Sequence, residues 1–398
     1  VVPSDAAFRF NPISGANMRL TAPKKFIPVL AFVCGVVLTL GLVLVSVLAV
    51  ITVRAQQAAT ANPDKPTTAA DAAQRDSSFI DGQGRAHITR IVPVPSYLSF
   101  PSRYWLSEPV PDAGPPSTLA ERRAGTDAWA LRASKEWLAL YPAAVTEDKI
   151  AGVPVRIVAP ADLPEANKDK VLLNLHGGGF NSDSGSYTES IPIAGMTKIK
   201  CVAVLYRLAP EFPFPAALDD AIAVYKELLK TYKPGHIVIY GTSAGAILTA
   251  EVAVKIKQLG LPMPAAFGIF SGMGDFARIG DSQAMYALRG LSGHLDVPDE
   301  SAPHDDAYVG KVDPKDPVLS PIYADLHGMP PTLFVTSGRD LLLSGTINLH
   351  RAFLNAGDDA QLVVYDALPH AFWYSTKLPE ALEANHRMAD FLAKQLAK

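Results

Sequence analysis

Ser243 sits in the pentapeptide Gly241-Thr242-Ser243-Ala244-Gly245. A serine hydroxyl becomes a useful nucleophile when a base takes its proton and a turn presents it to the substrate. The flanking residues suit such a turn. Upstream, His236-Ile237-Val238-Ile239-Tyr240 is a β-branched and aromatic run that predicts a buried strand. Downstream, Ala246 to Lys257 contains neither proline nor glycine and predicts a helix. Glycine at 241 and 245 leaves room for backbone where side chains would collide across the bend. The start of the helix aims backbone N–H groups at negative charge developing beside the serine. The pattern points to acyl transfer from a nucleophile elbow. Glycine and serine are too common for these five residues to carry that reading alone.

Acyl transfer by serine also needs a base, a group that orients the base, and donors for the oxyanion. Directly after Val171-Leu172-Leu173-Asn174-Leu175 comes His176-Gly177-Gly178-Gly179-Phe180. Three consecutive glycines let the backbone approach a ligand closely and turn N–H groups toward it. A glycine run abutting a predicted strand, upstream of the elbow, is the pattern of an oxyanion loop. Among nine histidines, His370 follows the last predicted strand by a short loop, in Asp366-Ala367-Leu368-Pro369-His370-Ala371-Phe372-Trp373. It is placed to accept the Ser243 proton and return it to the leaving group. Asp340, in Leu333-Phe334-Val335-Thr336-Ser337-Gly338-Arg339-Asp340, closes the preceding strand and is the preferred orienting acid. Asp366, closer in sequence to His370, is its rival. The chain order Ser, Asp, His is that of an α/β-hydrolase.

Those residues need strands to carry them, and the chain supplies an alternation. Strands are predicted over 153–158, 171–175, 201–205, 265–270, 332–336 and 361–365, besides the one before Ser243. Helices are predicted over 215–230 and 379–397, besides the one after it. Such alternation implies a mostly parallel sheet covered by helices on both faces, with ligands at the carboxyl ends of the strands. Residues 79–116 are rich in proline and aromatics and read as a wrapping segment. Ser117 can cap a helix running to about Leu140. The stretch 275–326 has no strand signal and one weak helix near 282–291, which is too long for an ordinary connection. Together, 79–142 and 275–326 are expected to form a mainly helical cap over the site.

The motifs His176-Gly177-Gly178-Gly179, Tyr206-Arg207-Leu208-Ala209-Pro210-Glu211, Gly241-Thr242-Ser243-Ala244-Gly245, Gly338-Arg339-Asp340 and Pro369-His370-Ala371-Phe372 occur in that order. In this the chain resembles the bacterial hormone-sensitive-lipase-like esterases, the family IV carboxylesterases, over roughly 80–398. The resemblance implies an α/β-hydrolase core with a helical cap and cofactor-free hydrolysis of carboxylic esters. It implies Ser243 as nucleophile, His370 as base and Asp340 as orienting acid. It also implies an oxyanion hole made by Gly178, Gly179 and the N–H of Ala244, with His176 as an organiser of the loop and Tyr206 to Glu211 as a structural buttress. Many members carry aspartate where this chain has Thr242, and a threonine-bearing subgroup exists; the departure bears on local hydrogen bonding and substrate preference.

Composition bounds the rest. The chain has 398 residues, 48% of them hydrophobic, and a formal net charge of −3, which argues against general attraction to nucleic acid. Its two cysteines, Cys34 and Cys201, lie in apolar settings and make no disulfide framework, and metal-ligand spacings are absent. No charged residue occurs between Phe26 and Val53, and Lys24 and Lys25 precede that run. Residues 1–25 thus read as a leader, 26–53 as a membrane anchor or a cleaved export signal, 54–78 as a flexible linker and 79–398 as the hydrolase domain. The expectation is an exported enzyme, periplasmic or extracellular, acting on a small-molecule ester of short or medium acyl chain. A catalytically inactive ligand-binding relative, a lipase and an amidase are the alternatives on the same fold. Oligomeric state is left open.

Overall fold

The computed structural model describes residues 78–88, 92–108, 117–278, 280–288, 290 and 307–397. The expected leader, apolar run and most of the linker lie outside these residues. Among the described residues no helix is long and apolar enough to cross a membrane. The chain divides into two units at Pro93/Val94. In the first, β1 (Phe79–Ile80) and β2 (Ala86–His87) form a small antiparallel hairpin, with Phe79 stacked on His87. The second unit begins at Val94.

That second unit is built on an eight-stranded sheet. Its strands are β3 (Ala143–Ile150), β4 (Val153–Pro160), β5 (Val171–Leu175), β6 (Cys201–Val204), β7 (Ile237–Thr242), β8 (Ala266–Phe270), β9 (Thr332–Arg339) and β10 (Ala360–Pro369). They lie in the order β10-β9-β8-β7-β5-β6-β4-β3. Every pairing from β6 through β10 is parallel, while β3 and β4 add an antiparallel edge. This is the mostly parallel sheet expected from the alternation of elements. Strand β3 was not expected. Its sequence, AAVTEDKI, is polar and largely exposed because it closes the edge of the sheet. Ala151 and Gly152, both at positive φ, make the two-residue turn that pairs it with β4.

The helices are α1 (Phe100–Ser107), α2 (Leu119–Leu140), α3 (Ser190–Thr197), α4 (Ala216–Leu228), α5 (Ala244–Gln258), α6 (Asp281–Met285), α7 (Leu343–Asn355) and α8 (Pro379–Leu396). Helix α2 starts one residue later than Ser117 would set. Thr118 caps it, with Glu121 closing the reciprocal box. Helix α6 covers only the first part of the expected 282–291 helix.

Alternation along the strands sorts the core into two layers. Val171, Leu173 and Leu175 of β5, Ile237 and Ile239 of β7, and Phe267 and Ile269 of β8 pack with α4, α5 and α7. Their neighbours Leu172, Val238, Tyr240, Ala266 and Phe270 pack on the opposite face with α3 and α8. Both faces are buried, so the central strands read as continuous apolar runs. Each large side chain buried in this way contributes about 1.5–3 kcal/mol. A one-residue slip of any central strand would exchange its two packing faces, so the register is firmly set. The carboxyl ends of β7, β8, β9 and β10 therefore stand in a fixed row.

Candidate active site

Ser243 lies at the end of that row, between β7 and α5. Its backbone is at φ 60 and ψ −124, a sparsely populated conformation for a residue with a side chain. The flanking glycines make the turn possible. A Cβ at 241 would fall 2.3 Å from the Leu175 carbonyl oxygen, and one at 245 would fall 1.8 Å from it. The elbow thus packs directly on the end of β5, where the triple-glycine loop begins. The Ser243 N–H donates to the Phe270 carbonyl at 2.9 Å, which ties the turn to β8.

His370 Nε2 lies 2.9 Å from Ser243 Oγ, and His370 Nδ1 lies 2.9 Å from Asp340 Oδ1. The structure brings these three side chains into one hydrogen-bonded chain. With Nδ1–H donating to the carboxylate, Nε2 is left to accept from the serine hydroxyl. The Asp340 side chain is 0% exposed and that of His370 only 6%, whereas Ser243 is partly open. Burial by itself would raise the Asp340 carboxyl. The His370 ring, the Ser271 hydroxyl and the Leu342 N–H outweigh it and hold the group below its ordinary value. Asp366, the rival in sequence, is exposed on β10 and accepts a hydrogen bond from the Tyr97 hydroxyl.

Sequence reasoning missed Ser271. It follows β8 at φ 54, is fully buried, and donates to Asp340 Oδ2 while its oxygen lies 2.9 Å from His370 Nδ1. Thr336 Oγ1 donates to the same carboxylate oxygen at 3.2 Å, and the Leu342 N–H donates to Oδ1 at 2.8 Å. A lone serine after a strand carries no motif. The available signal was its place at the carboxyl end of a central strand beside β7.

The glycine loop follows β5, the neighbour of β7. Gly178 is at φ 124 and Gly179 at φ 59, conformations that only glycine adopts at low cost. A Cβ at Gly178 would also fall 2.0 Å from the Ser182 carbonyl oxygen. Ala244, the third expected donor, is the first residue of α5 and stands next to Ser243. His176 is buried within the loop. Its Nδ1 lies 2.9 Å from the Gly177 carbonyl and its ring stacks on Tyr206, whose hydroxyl donates to the His176 carbonyl at 2.6 Å. Farther along the Tyr206–Glu211 motif, Glu211 pairs with Arg123 of α2, and Arg123 also donates to the Asn181 and Ala209 carbonyls. Burial is slight there, and the Arg123 contact pulls the Glu211 carboxyl down to about 2. The Thr242 hydroxyl accepts from Trp373 Nε1 at 3.2 Å.

Among the described residues no cluster of three or more His, Cys, Asp or Glu could hold a metal ion. Cys201 is buried and unpaired, and burial pushes its thiol up to about 12.

A strained serine between strand and helix, backed by histidine and aspartate from later strand ends, defines a hydrolase of the α/β class. Comparison with known proteins agrees. Residues 172–374 match the family of the alpha/beta hydrolase fold. An acetyl-hydrolase of Streptomyces hygroscopicus is 32% identical over 233 residues, covering 58% of this chain and 77% of that protein. Crystal structures of an esterase/lipase from an uncultured bacterium and of an esterase from the bacterial hormone-sensitive lipase family are also similar. The first is 29% identical with a TM-score of 0.64, covering 75% of this chain and 97% of that one. The second is 30% identical with a TM-score of 0.60, covering 71% and 94%. The chain belongs to the hormone-sensitive-lipase-like, family IV branch of the α/β-hydrolases and is a carboxylic ester hydrolase.

Proposed function

We propose that the protein hydrolyses short- to medium-chain acyl esters of small molecules, with Ser243, His370 and Asp340 as its catalytic triad. The continuous hydrogen-bonded chain from Asp340 through His370 to Ser243 carries this reading. Ser243 Oγ attacks the ester carbonyl as its proton passes to His370 Nε2, and Asp340 holds the imidazolium that forms. The tetrahedral oxyanion is received by the N–H groups of Gly178, Gly179 and Ala244. Collapse breaks the bond to the alcohol, which leaves with the proton from His370. Water then repeats the sequence on the acyl-enzyme, releasing the acid and restoring Ser243. The preference for shorter acyl chains is supported by the similarity to an acetyl-hydrolase. The apolar run 26–53 would direct export, as a membrane anchor or as a cleaved signal, and fractionation of cells with and without that run would test it.

The direct test is hydrolysis of p-nitrophenyl esters from acetate to palmitate by the full chain, beside Ser243→Ala. Turnover highest at the short chains and abolished in the variant is expected. A maximum at palmitate would replace the esterase reading by a lipase. No Ser243-dependent turnover on any ester would favour a ligand-binding relative.

A further inference from the structure

Glu189 immediately precedes α3, and its side chain is enclosed by the protein, with 3% of the residue exposed. Four donors from separate parts of the fold converge on its carboxylate. Oε2 accepts from Asn174 Nδ2 of β5 at 2.8 Å and from the Thr242 N–H at 3.2 Å. Oε1 accepts from the Gly177 N–H at 2.9 Å and from the Tyr374 hydroxyl at 2.6 Å. An ionised carboxylate offers about four acceptor positions, so this set uses them all. A protonated carboxyl would turn its own O–H against one of the four donors. Burial pushes the Glu189 carboxyl up to about 7; Tyr374, Gly177 and Asn174 pull against burial, and nearby Asp183 adds to it. The donors thus favour the charged form at the mildly alkaline pH used for ester hydrolysis.

The positions of the donors are telling. Gly177 opens the triple-glycine loop, next to Gly178 and Gly179. Thr242 precedes Ser243 and lies two positions before Ala244. The two backbone segments that supply the oxyanion donors therefore each lend a neighbouring N–H to one carboxylate. Tyr374 follows His370 by a single turn and adds the histidine loop to the same anchor. Space has been made for it: a Cβ at Gly185 would fall 1.8 Å from Glu189 Oε1 and 2.7 Å from the Gly177 nitrogen. Glu189 itself has no part in the proton transfers between Ser243 and His370.

We propose that Glu189 is a positioning residue, a buried strut that fixes the triple-glycine loop against the serine elbow and so sets the spacing of the oxyanion donors. The proposal rests on the serine-esterase reading above. Oxyanion donors act within a few tenths of an ångström, and their alignment matters where charge develops, not in ground-state binding. Loss of the strut should therefore lower kcat and leave KM nearly unchanged.

The test uses the full chain and Glu189→Gln at about pH 8.5, where the carboxylate is ionised. Gly185→Ala displaces the same carboxylate without replacing it. Kinetics on p-nitrophenyl acetate and amide hydrogen exchange at Gly177 and Thr242 are read together. Both variants are expected to lose on the order of 10- to 100-fold in kcat, less than the full loss of one oxyanion donor, with KM within about threefold. A trifluoromethyl ketone, which forms a tetrahedral adduct on serine, should lose affinity in step with kcat/KM. Exchange at Gly177 and Thr242 should quicken. Unchanged kcat in Glu189→Gln, a rise in KM alone, or unaltered exchange at both amides overturns the proposal. If the wild type shows no Ser243-dependent turnover, the esterase reading fails. The exchange data then decide the strut by themselves, faster exchange at both amides upholding it and unaltered exchange rejecting it.

Discussion

Removing the Ser271 hydroxyl isolates a contribution that the motifs leave out. In Ser271→Ala, Asp340 keeps His370, the Leu342 N–H at 2.8 Å and Thr336 Oγ1 at 3.2 Å, so the carboxylate stays ionised and buried. It loses one charge-assisted hydrogen bond, worth about 1.5–3 kcal/mol to the folded state. The effect on rate is smaller, because only the part that grows as the imidazolium forms enters the barrier. The Ser271 oxygen, 2.9 Å from His370 Nδ1, stabilises that developing charge and steadies the ring. Assigning this about 1–2 kcal/mol gives a fall in kcat of roughly 5- to 30-fold, at 1.36 kcal/mol per decade. Asp340→Asn, which withdraws the orienting carboxylate itself, should cost about 10⁴-fold, as loss of this group does in serine hydrolases. The assay is steady-state hydrolysis of p-nitrophenyl acetate, with thermal unfolding as the control for folding. A Ser271→Ala enzyme within twofold of wild-type kcat, but with a lowered Tm, would show that the hydroxyl supports packing only and would refute the reasoning.

The local geometry sets two further outcomes. A Cβ at 245 would lie 1.8 Å from the Leu175 carbonyl oxygen, so Gly245→Ala should give no active folded protein, whereas Gly235→Ala, with nothing within 4 Å, should match wild-type yield and turnover. Burial pushes the Glu251 carboxyl well above its ordinary 4.5, against the Tyr308 hydroxyl that donates to it at 2.6 Å. The folded protein then keeps a proton that the unfolded chain gives up, and this costs stability as pH rises from about 4.5. Glu251→Gln should flatten the fall of Tm as pH rises above about 4.5, and an unchanged slope would count against a neutral Glu251.

The parts of the site written in local sequence were legible. Apolar strands next to Gly177-Gly178-Gly179 and to Gly241-Thr242-Ser243 are punctuated by glycines whose steric need is local, so spacing alone revealed them. Asp340 and His370 were legible from their places just beyond apolar strands, because parallel topology gathers the carboxyl ends of those strands at one edge. Ser271 and Glu189 were not found, because their importance comes from burial and partners distant in sequence. Glu189 meets Thr242 across 53 positions and Tyr374 across 185. Strand β3 escaped for the opposite reason: an edge strand exposes its side chains and need not be apolar. Element ends also moved. Strands β9 and β10 run to Arg339 and Pro369, beyond the apolar residues that announced them, because backbone pairing continues where side-chain hydrophobicity has stopped.

The order of strands also explains how residues so far apart in the chain can meet. Ser243 follows β7, Ser271 follows β8, Asp340 follows β9 and His370 follows β10, four neighbours in the sheet. Adjacent strands lie about 4.8 Å apart, so β10 stands roughly 14 Å from β7. A histidine rising straight from β10 would fall short of Ser243. Two departures from regular geometry close the gap. The β10 pairing shifts register between Tyr365 and Pro369, with Ala367 at φ 57, and Ala371 at φ 51 turns the chain directly after His370. Such a bulge bends a strand and re-aims the side chains beyond it. His370 is thereby carried back over β9 and β8, where Asp340 and Ser271 hold its Nδ1 side and leave Nε2 for Ser243. The strained backbone at Ser243, Ser271 and Ala371 is thus concentrated where it converts a flat row of strand ends into a converging site, and the buried sheet beneath supplies the rigidity that sustains it.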